Sequence, residues 1–517
     1  MKKAFLFTCL LALTACAPET APRYDVLIIG GTVYDGSLEP GRIRNIGIVE
    51  DRIATLDAAA DADARVRVDA QGLIVTPGFI DPHTHATRDL RNPLKKSNLN
   101  YLKQGVTTVF IGNDGAGVSG RDDTLATFSA EGIGNNVAFF SGHGAIRRQV
   151  MGSENRAPTA TELATMKERV AADMELGAIG LSTGLYYVPG NYATTDEVIA
   201  LASVAAAYGG VYDTHLRDES SYNIGLLAAI EETIAIARSA AIPVHISHIK
   251  ALGQDVWGQS EAIVERIEAA RAEGLSVTAN QYPWRASGTR FSNALIPRWA
   301  LADSKEHMRE RLADAETGAG IRDEMRANLR RRGGADAMLV TAAESRWQGQ
   351  TLAEIAAQME VEPVEAAIRM VLAEDPSIAS FVMHSDDIAR LAGQAWVMTG
   401  SDGSAGHPRL YGTYPKAWQD FVRSDLLSIP QFVHRSTGLV ADTFNLCRRG
   451  YLREEYTADI AVIDPANYIA HADYVHPREL SEGVRYLLVN GAMVIANDDY
   501  TGALPGQILR RQDCARE

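Results

Sequence analysis

The sequence predicts an α/β protein: a closed barrel of eight parallel strands flanked by a small β-sandwich drawn from both ends of the chain. Three observations carry that prediction. Through the middle of the 517 residues, apolar strand-like segments alternate with helix-like ones, the pattern of βα units. Eight strand candidates can be counted, beginning near Leu73, Thr107, Asn136, Ala178, Val211, Pro243, Leu275 and Trp396, and eight is the number such a barrel needs. Both ends have a different texture, short apolar strands around Gly and Asp turns, at 24–33, 46–53, 64–69, 458–464 and 484–495.

In chain order, Lys2 and Lys3 precede a short apolar run at 4–13, which reads as an export signal too short to span a bilayer. It ends in Leu13-Thr14-Ala15-Cys16, which resembles a bacterial lipobox, with cleavage before Cys16 and acylation of its thiol. Ala17 stands where a retention-type Asp would, so the expected location is the periplasm, on an outer-membrane lipid anchor. Residues 17–23 are a tether, 24–72 and 455–511 form the sandwich, and 73–454 form the barrel. Between the seventh and eighth strands, an insertion at about 285–395 is far longer than a βα loop. It holds charged helical sequence at 305–332 and a strand-like piece at 379–384, and can cover a site. Of four cysteines, Cys9 leaves with the signal and Cys16 carries lipid, so Cys447 and Cys514 remain, their pairing open. A net charge of −15 and a pI near 5.3 argue against nucleic acid and against a polybasic membrane surface.

The chemistry begins at residues 73–85, an apolar run ending Asp-Pro-His-Thr-His. Side chains alternate along a strand, so His83 and His85 share a face and make half of a divalent-metal site, most often zinc. Other candidate ligands stand where later strands should end: Asp114, His215, His248 and Asp402. Singly, a strand-end His or Asp is as often a turn or helix cap; four histidines and two carboxylates at strand ends point to a metal. His245 falls on the opposite face of its strand from His248. Such a centre suits amide hydrolysis, because the ion polarises the carbonyl and activates water while a carboxylate moves the proton.

The His-x-His strand resembles the opening strand of the amidohydrolase superfamily. Gly-Asn-Asp-Gly at 112–115, Leu-Ser-Thr-Gly-Leu-Tyr-Tyr-Val-Pro-Gly at 181–190 and His-Leu-Arg-Asp-Glu at 215–219 narrow the match. With Ser-His-Ile-Lys at 247–250, Gln-Tyr-Pro-Trp at 281–284 and His-Pro-Arg at 407–409, they resemble the N-acyl-D-amino-acid deacylase family. The resemblance implies a zinc-dependent enzyme that hydrolyses N-acyl-D-amino acids, or dipeptides with a C-terminal D-residue. It implies Asp402 as proton shuttle and Lys250, Tyr282 and Arg409 as receptors for the α-carboxylate. Ser287 or Thr289 could add a donor, and Arg217 could enter the pocket; its alternative is an ion pair with a nearby acid. His143 could touch substrate or be structural, and Tyr186, Tyr187, Trp257 and Trp284 could wall the pocket or belong to the core.

The family commonly has cysteine where Asp114 stands, and a carboxylate is harder and less zinc-selective, leaving other divalent metals open. The rivals are a hydantoinase- or dihydroorotase-type cyclic-amide hydrolase and a lipid-anchored binding protein without catalysis. The first lacks a lysine at 178–187 to bridge metals; the second conflicts with a complete ligand set.

Overall fold

The computed structural model describes residues 23–117 and 123–511. Cys16 and Cys514 lie outside them, so the pairing of Cys447 with Cys514 does too; among the described residues Cys447 is a free thiol. No helix among the described residues is long and apolar enough to cross a membrane.

Eight parallel barrel strands run Phe79–Asp81, Val106–Ile111, Asn136–Phe139, Gly180–Gly184, Val211–His215, Val244–Ile246, Val277–Gln281 and Val397–Thr399. The ladder is carried from the third strand to the fourth by Ser141–Gly142 and by the Ile179 N–H donating to the Phe139 carbonyl at 2.9 Å. It closes from the eighth to the first where the Asp402 N–H donates to the His83 carbonyl, 2.9 Å, and Thr84 bridges Gly403. Both faces of each strand are buried, which is why the strands read as apolar runs without alternation.

The run starting at Leu73 is not one barrel strand. Ile74–Pro77 pairs antiparallel with Ile460–Ile463 and parallel with Tyr24–Val33, so it belongs to the terminal sheet, and the barrel starts at Phe79. The division therefore falls at Gly78, not at 72. A Cβ on Gly78 would sit 2.2 Å from the Thr107 side chain, so only glycine lets the chain pass between the two sheets here. The terminal sheet has nine strands, from Asp499–Tyr500 at one edge through Ile460–Ile463 and Ile74–Pro77 to Arg52–Thr55, with Ala64–Asp69 branching off Tyr24–Val33. Its core joins both ends of the chain through Ile28, Ile46, Val68, Ile460, Val462 and Leu488. The last stretch leaves that sheet: Pro505 and Ile508 bridge Ile133 and Val137, lying against the third barrel strand.

The insertion carries its own antiparallel sheet, Ala286–Arg290, Ser377–Phe381 and Met338–Val340, and a separate core including Phe291, Ile321, Met325, Ile355 and Ile368. Helices Ala315–Arg331 and Pro363–Ala373 pack there. The strand predicted at 379–384 is Ser377–Phe381, and helix Ser385–Ala392 already packs back on barrel helix Ser260–Ala272. The insertion thus ends near 384, short of the predicted 395.

Candidate metal centre

The ligand candidates converge at the carboxyl ends of the strands. His83, His85, Asp114 and Asp402 offer ligand atoms within 4.8 Å of one another, and so do His215, Glu219 and His248. Asp114 lies between the groups: its Oδ1 is 3.5 Å from His83 Nε2 and 3.4 Å from His248 Nε2, and its Oδ2 is 3.6 Å from His85 Nε2. Asp402 Oδ1 is 3.1 Å from His85 Nε2 and 3.6 Å from His83 Nε2. His83 is fully buried, yet both its ring nitrogens and the Asp114 Oδ1 have no hydrogen-bond partner. Buried polar atoms are almost always satisfied, so these unpartnered nitrogen and oxygen atoms, with His83 Nε2 3.5 Å from Asp114 Oδ1, fit one or two divalent ions.

The local backbone explains how the side chains are delivered. Asp114, His248 and Asp402 all adopt left-handed φ, at 56°, 35° and 47°. Each strand therefore ends in a sharp turn that redirects its ligand, the kind of strain that concentrates at functional sites. Below the centre, buried Asp213 accepts from Ser182 Oγ at 2.8 Å, Ser247 Oγ at 2.7 Å and Asn113 Nδ2 at 3.3 Å, tying four strand ends together. Burial raises its carboxyl pKa. His245 faces away into the core between Thr278 and Asn280.

The second layer sets the imidazoles. His215 Nδ1 donates to the Leu216 carbonyl at 2.9 Å, leaving Nε2 as the ligand atom, and burial lowers its pKa to about 4, which keeps it neutral. His248 Nδ1 is 3.1 Å from Glu219 Oε1, which also binds the Lys250 ammonium. Burial and Lys250 press the His248 pKa down, but Asp402, Glu219 and Asp114 outweigh them and raise it to about 9. Burial opposes ionisation of Asp114 and Asp402. His83 and His248 nonetheless hold Asp114 low, and Arg409, His248 and His85 hold Asp402 low. Glu219 joins His215 and His248 as a partner that the sequence motifs did not single out; its position four residues after His215 was the available signal.

A cleft of about 310 Å³ opens over His85, Asp114 and Asp402, with Arg409 and Tyr187 on its wall and Thr289 from the insertion opposite. A narrower recess beside it is lined by Lys250, Tyr282 and Ser287 together with His215 and His248. Arg409 Nη1 reaches Asp402 Oδ2 at 2.7 Å, and its guanidinium lies 4.8 Å from the Tyr282 ring, whose hydroxyl is buried without a partner.

Arg217 is not in the pocket. Its guanidinium grips Glu232 at 2.8–3.1 Å and the Asn191 carbonyl, facing another recess behind Tyr186. The ion pair, with a helix acid rather than with Asp218 or Glu219, is its role. His143 is likewise structural, buried 2.9 Å from Glu197. Trp257 donates to the Val382 carbonyl and Trp284 to Thr413, and neither lines the cleft. Tyr186 and Tyr187 do wall the site, Tyr186 stacked on His215 at 5.4 Å.

The model of the amidohydrolase family matches residues 66–495, which contain every one of these candidate ligands. The chain belongs to the amidohydrolase family. Among its amidohydrolase relatives, a D-aminoacylase from Alcaligenes xylosoxydans xylosoxydans is 33% identical over 517 residues, 94% of this chain and 98% of that protein. An N-acyl-D-glutamate deacylase from the same organism is 32% identical, covering 95% of this chain and 97% of that one. The solved N-acyl-D-glutamate deacylase from Bordetella bronchiseptica, complexed with zinc and a phosphonate mimic of the tetrahedral intermediate, superposes with a TM-score of 0.81 at 30% identity. That match covers 94% of this chain and 99% of the other.

Proposed function

We propose that the chain is a zinc-dependent hydrolase of the amide bond of N-acyl-D-amino acids, extending to dipeptides with a C-terminal D-residue. The observation that carries this is the placement of Arg409, beside the ligand cluster and across the Tyr282 ring, where an open-chain carboxylate can dock while its amide reaches the metal site. The ligand chemistry and the named relatives support zinc and the D-series. The fourth barrel strand, Gly180–Gly184, has no lysine, which counts against a cyclic-amide hydrolase with a lysine bridge.

His83, His85, Asp114, His215, His248 and Asp402 would hold the metal, which supplies carbonyl polarisation and a lowered pKa for the attacking water. Asp402 would accept a proton from the attacking water and return it to the leaving nitrogen. Its Oδ1 faces the imidazoles and its Oδ2 is steadied by Arg409, so it stays ionised and oriented until the reaction needs it. Arg409, Tyr282, Lys250 and Ser287 receive the α-carboxylate, as a fork, a hydroxyl, a point charge and a second hydroxyl. Lys250 shares its charge with Glu219 and Arg409 shares its own with Asp402, so the contact is divided between the two cations, with the Arg409 Nε and the Tyr282 hydroxyl left free to donate. The cell-envelope location belongs to the same proposal and rests on the Leu-Thr-Ala-Cys sequence ending at Cys16; radiolabelled palmitate should enter the wild type and not Cys16→Ser.

A library of N-acetyl-D- and N-acetyl-L-amino acids, with L-Xaa-D-Xaa and L-Xaa-L-Xaa dipeptides, tests the reaction. Release of D-amino acids is expected. Opening of hydantoins or lactams with no release from the library would replace this reading.

A further inference from the structure

We infer that the recess beside the metal ligands contains a receptor for a second substrate carboxylate, built on Arg332, so that the favoured substrates are N-acyl derivatives of a dicarboxylic D-amino acid. The inference rests on the deacylase reading and names the substrate class within it. Arg332 follows helix Ala315–Arg331 of the insertion and lines the recess together with Lys250, Tyr282 and Ser287. It is only 2% exposed. Its Nε has no hydrogen-bond partner, and its other nitrogens reach only neutral hydroxyls, Ser287 Oγ at 3.5 Å and Tyr186 OH at 3.4 Å. The Tyr222 ring lies 5.8 Å away.

The other buried cations are provided for. Arg147 pairs with Glu197, Lys250 with Glu219, Arg409 with Asp402 and Arg449 with Asp459, while Arg435 donates to the carbonyls of Ala392 and Met398. Among the described residues, Arg332 alone of the buried cations has neither a carboxylate nor a backbone carbonyl as acceptor. A guanidinium stays charged under all ordinary conditions, and taking it out of water without a counter-charge is costly. A ligand carboxylate would supply that charge and match its fork. The carboxylates lining the cleft and recess, Asp114, Asp402 and Glu219, already face imidazoles or cations. The pocket therefore suits a dianion, with the α-carboxylate at Arg409 and Tyr282 and the side-chain carboxylate at Arg332.

The experiment compares kcat/KM of the zinc-loaded protein for N-acetyl-D-glutamate and for its neutral isostere N-acetyl-D-glutamine. The wild type should prefer the acid by about tenfold or more, the scale of one charged hydrogen bond. Arg332→Met should bring the ratio to one or below, chiefly through the KM of the acid, and Arg332→Lys should keep part of it. Product inhibition of the wild type by D-glutamate over D-glutamine reads the same contact without a variant. A preference for the neutral isostere, or a ratio that Arg332→Met leaves unchanged, overturns the inference. Equal turnover of both isosteres removes Arg332's role but leaves the deacylase reading intact, whereas no turnover of any N-acetyl-D-amino acid removes both.

Discussion

Asp402 has one oxygen among the imidazoles and the other on Arg409. Asp402→Asn keeps the shape and removes the base, so kcat should fall by about 10²–10⁴ while the fold survives, as measured by turnover and thermal melting. Glu219 acts one layer out, through His248 and Lys250; Glu219→Gln should weaken zinc retention by about 10–100-fold in metal analysis after dialysis against a chelator. Asp114→Cys should do the opposite, raising the preference for zinc over manganese, because a thiolate is the softer ligand. The convergence of the candidate ligands could be anticipated from the sequence because each follows a strand end, and strand ends can be located from apolar runs. Arg217 shows the limit of that logic. Two residues past His215 the chain has left the strand, and Glu232, on the following helix, decides where the side chain goes.

At the scale of elements, the insertion's first strand matters most to the site. Gly288 lies against Arg409, and a Cβ there would come 3.1 Å from Nη2 and 3.0 Å from Ser404 Oγ. Gly288→Ala should therefore displace the guanidinium and raise KM by about tenfold, equivalent to about 1.4 kcal/mol, with a smaller change in kcat. Steady-state kinetics on one N-acetyl-D-amino acid would show the split. The existence of the insertion was legible from its length, and Ser287 and Thr289 were candidates for the pocket, but Arg332 was not. Arg332 meets the site only through tertiary packing, and no local spacing reports it. The break at Pro77–Gly78 was hidden for a related reason: the two strands on either side are both buried, so the apolar run continues across it.

For the whole molecule, the terminal sheet, the barrel and the tail at 505–509 form a mutually buried assembly whose stability depends on pH. His245 lies in the core with a pKa lowered to about 3, by burial above all. In the unfolded chain a histidine titrates near 6.5, so its contribution is complete above that pH and is lost as pH falls from about 6.5 toward 3. The loss is about 1.4 kcal/mol per pH unit for this residue, about 2 kcal/mol by pH 5. Denaturant melts of His245→Gln should show a shallower acid slope than the wild type, whatever the variant's stability at pH 8. The family and barrel could be read from motifs spread along the chain, whereas the branching of the nine-strand sheet could not, because which strand joins which edge depends on residues hundreds of positions apart. The central claim, a metal-dependent deacylase of the D-series, is tested most directly by one titration. Chelator-stripped protein is supplied with zinc in steps while release of amino acid from N-acetyl-D- and N-acetyl-L-glutamate is followed. Activity that is absent without metal, returns with zinc and is confined to the D-enantiomer is the expected result. Hydrolysis that survives complete metal removal, or that favours the L-enantiomer, would contradict it.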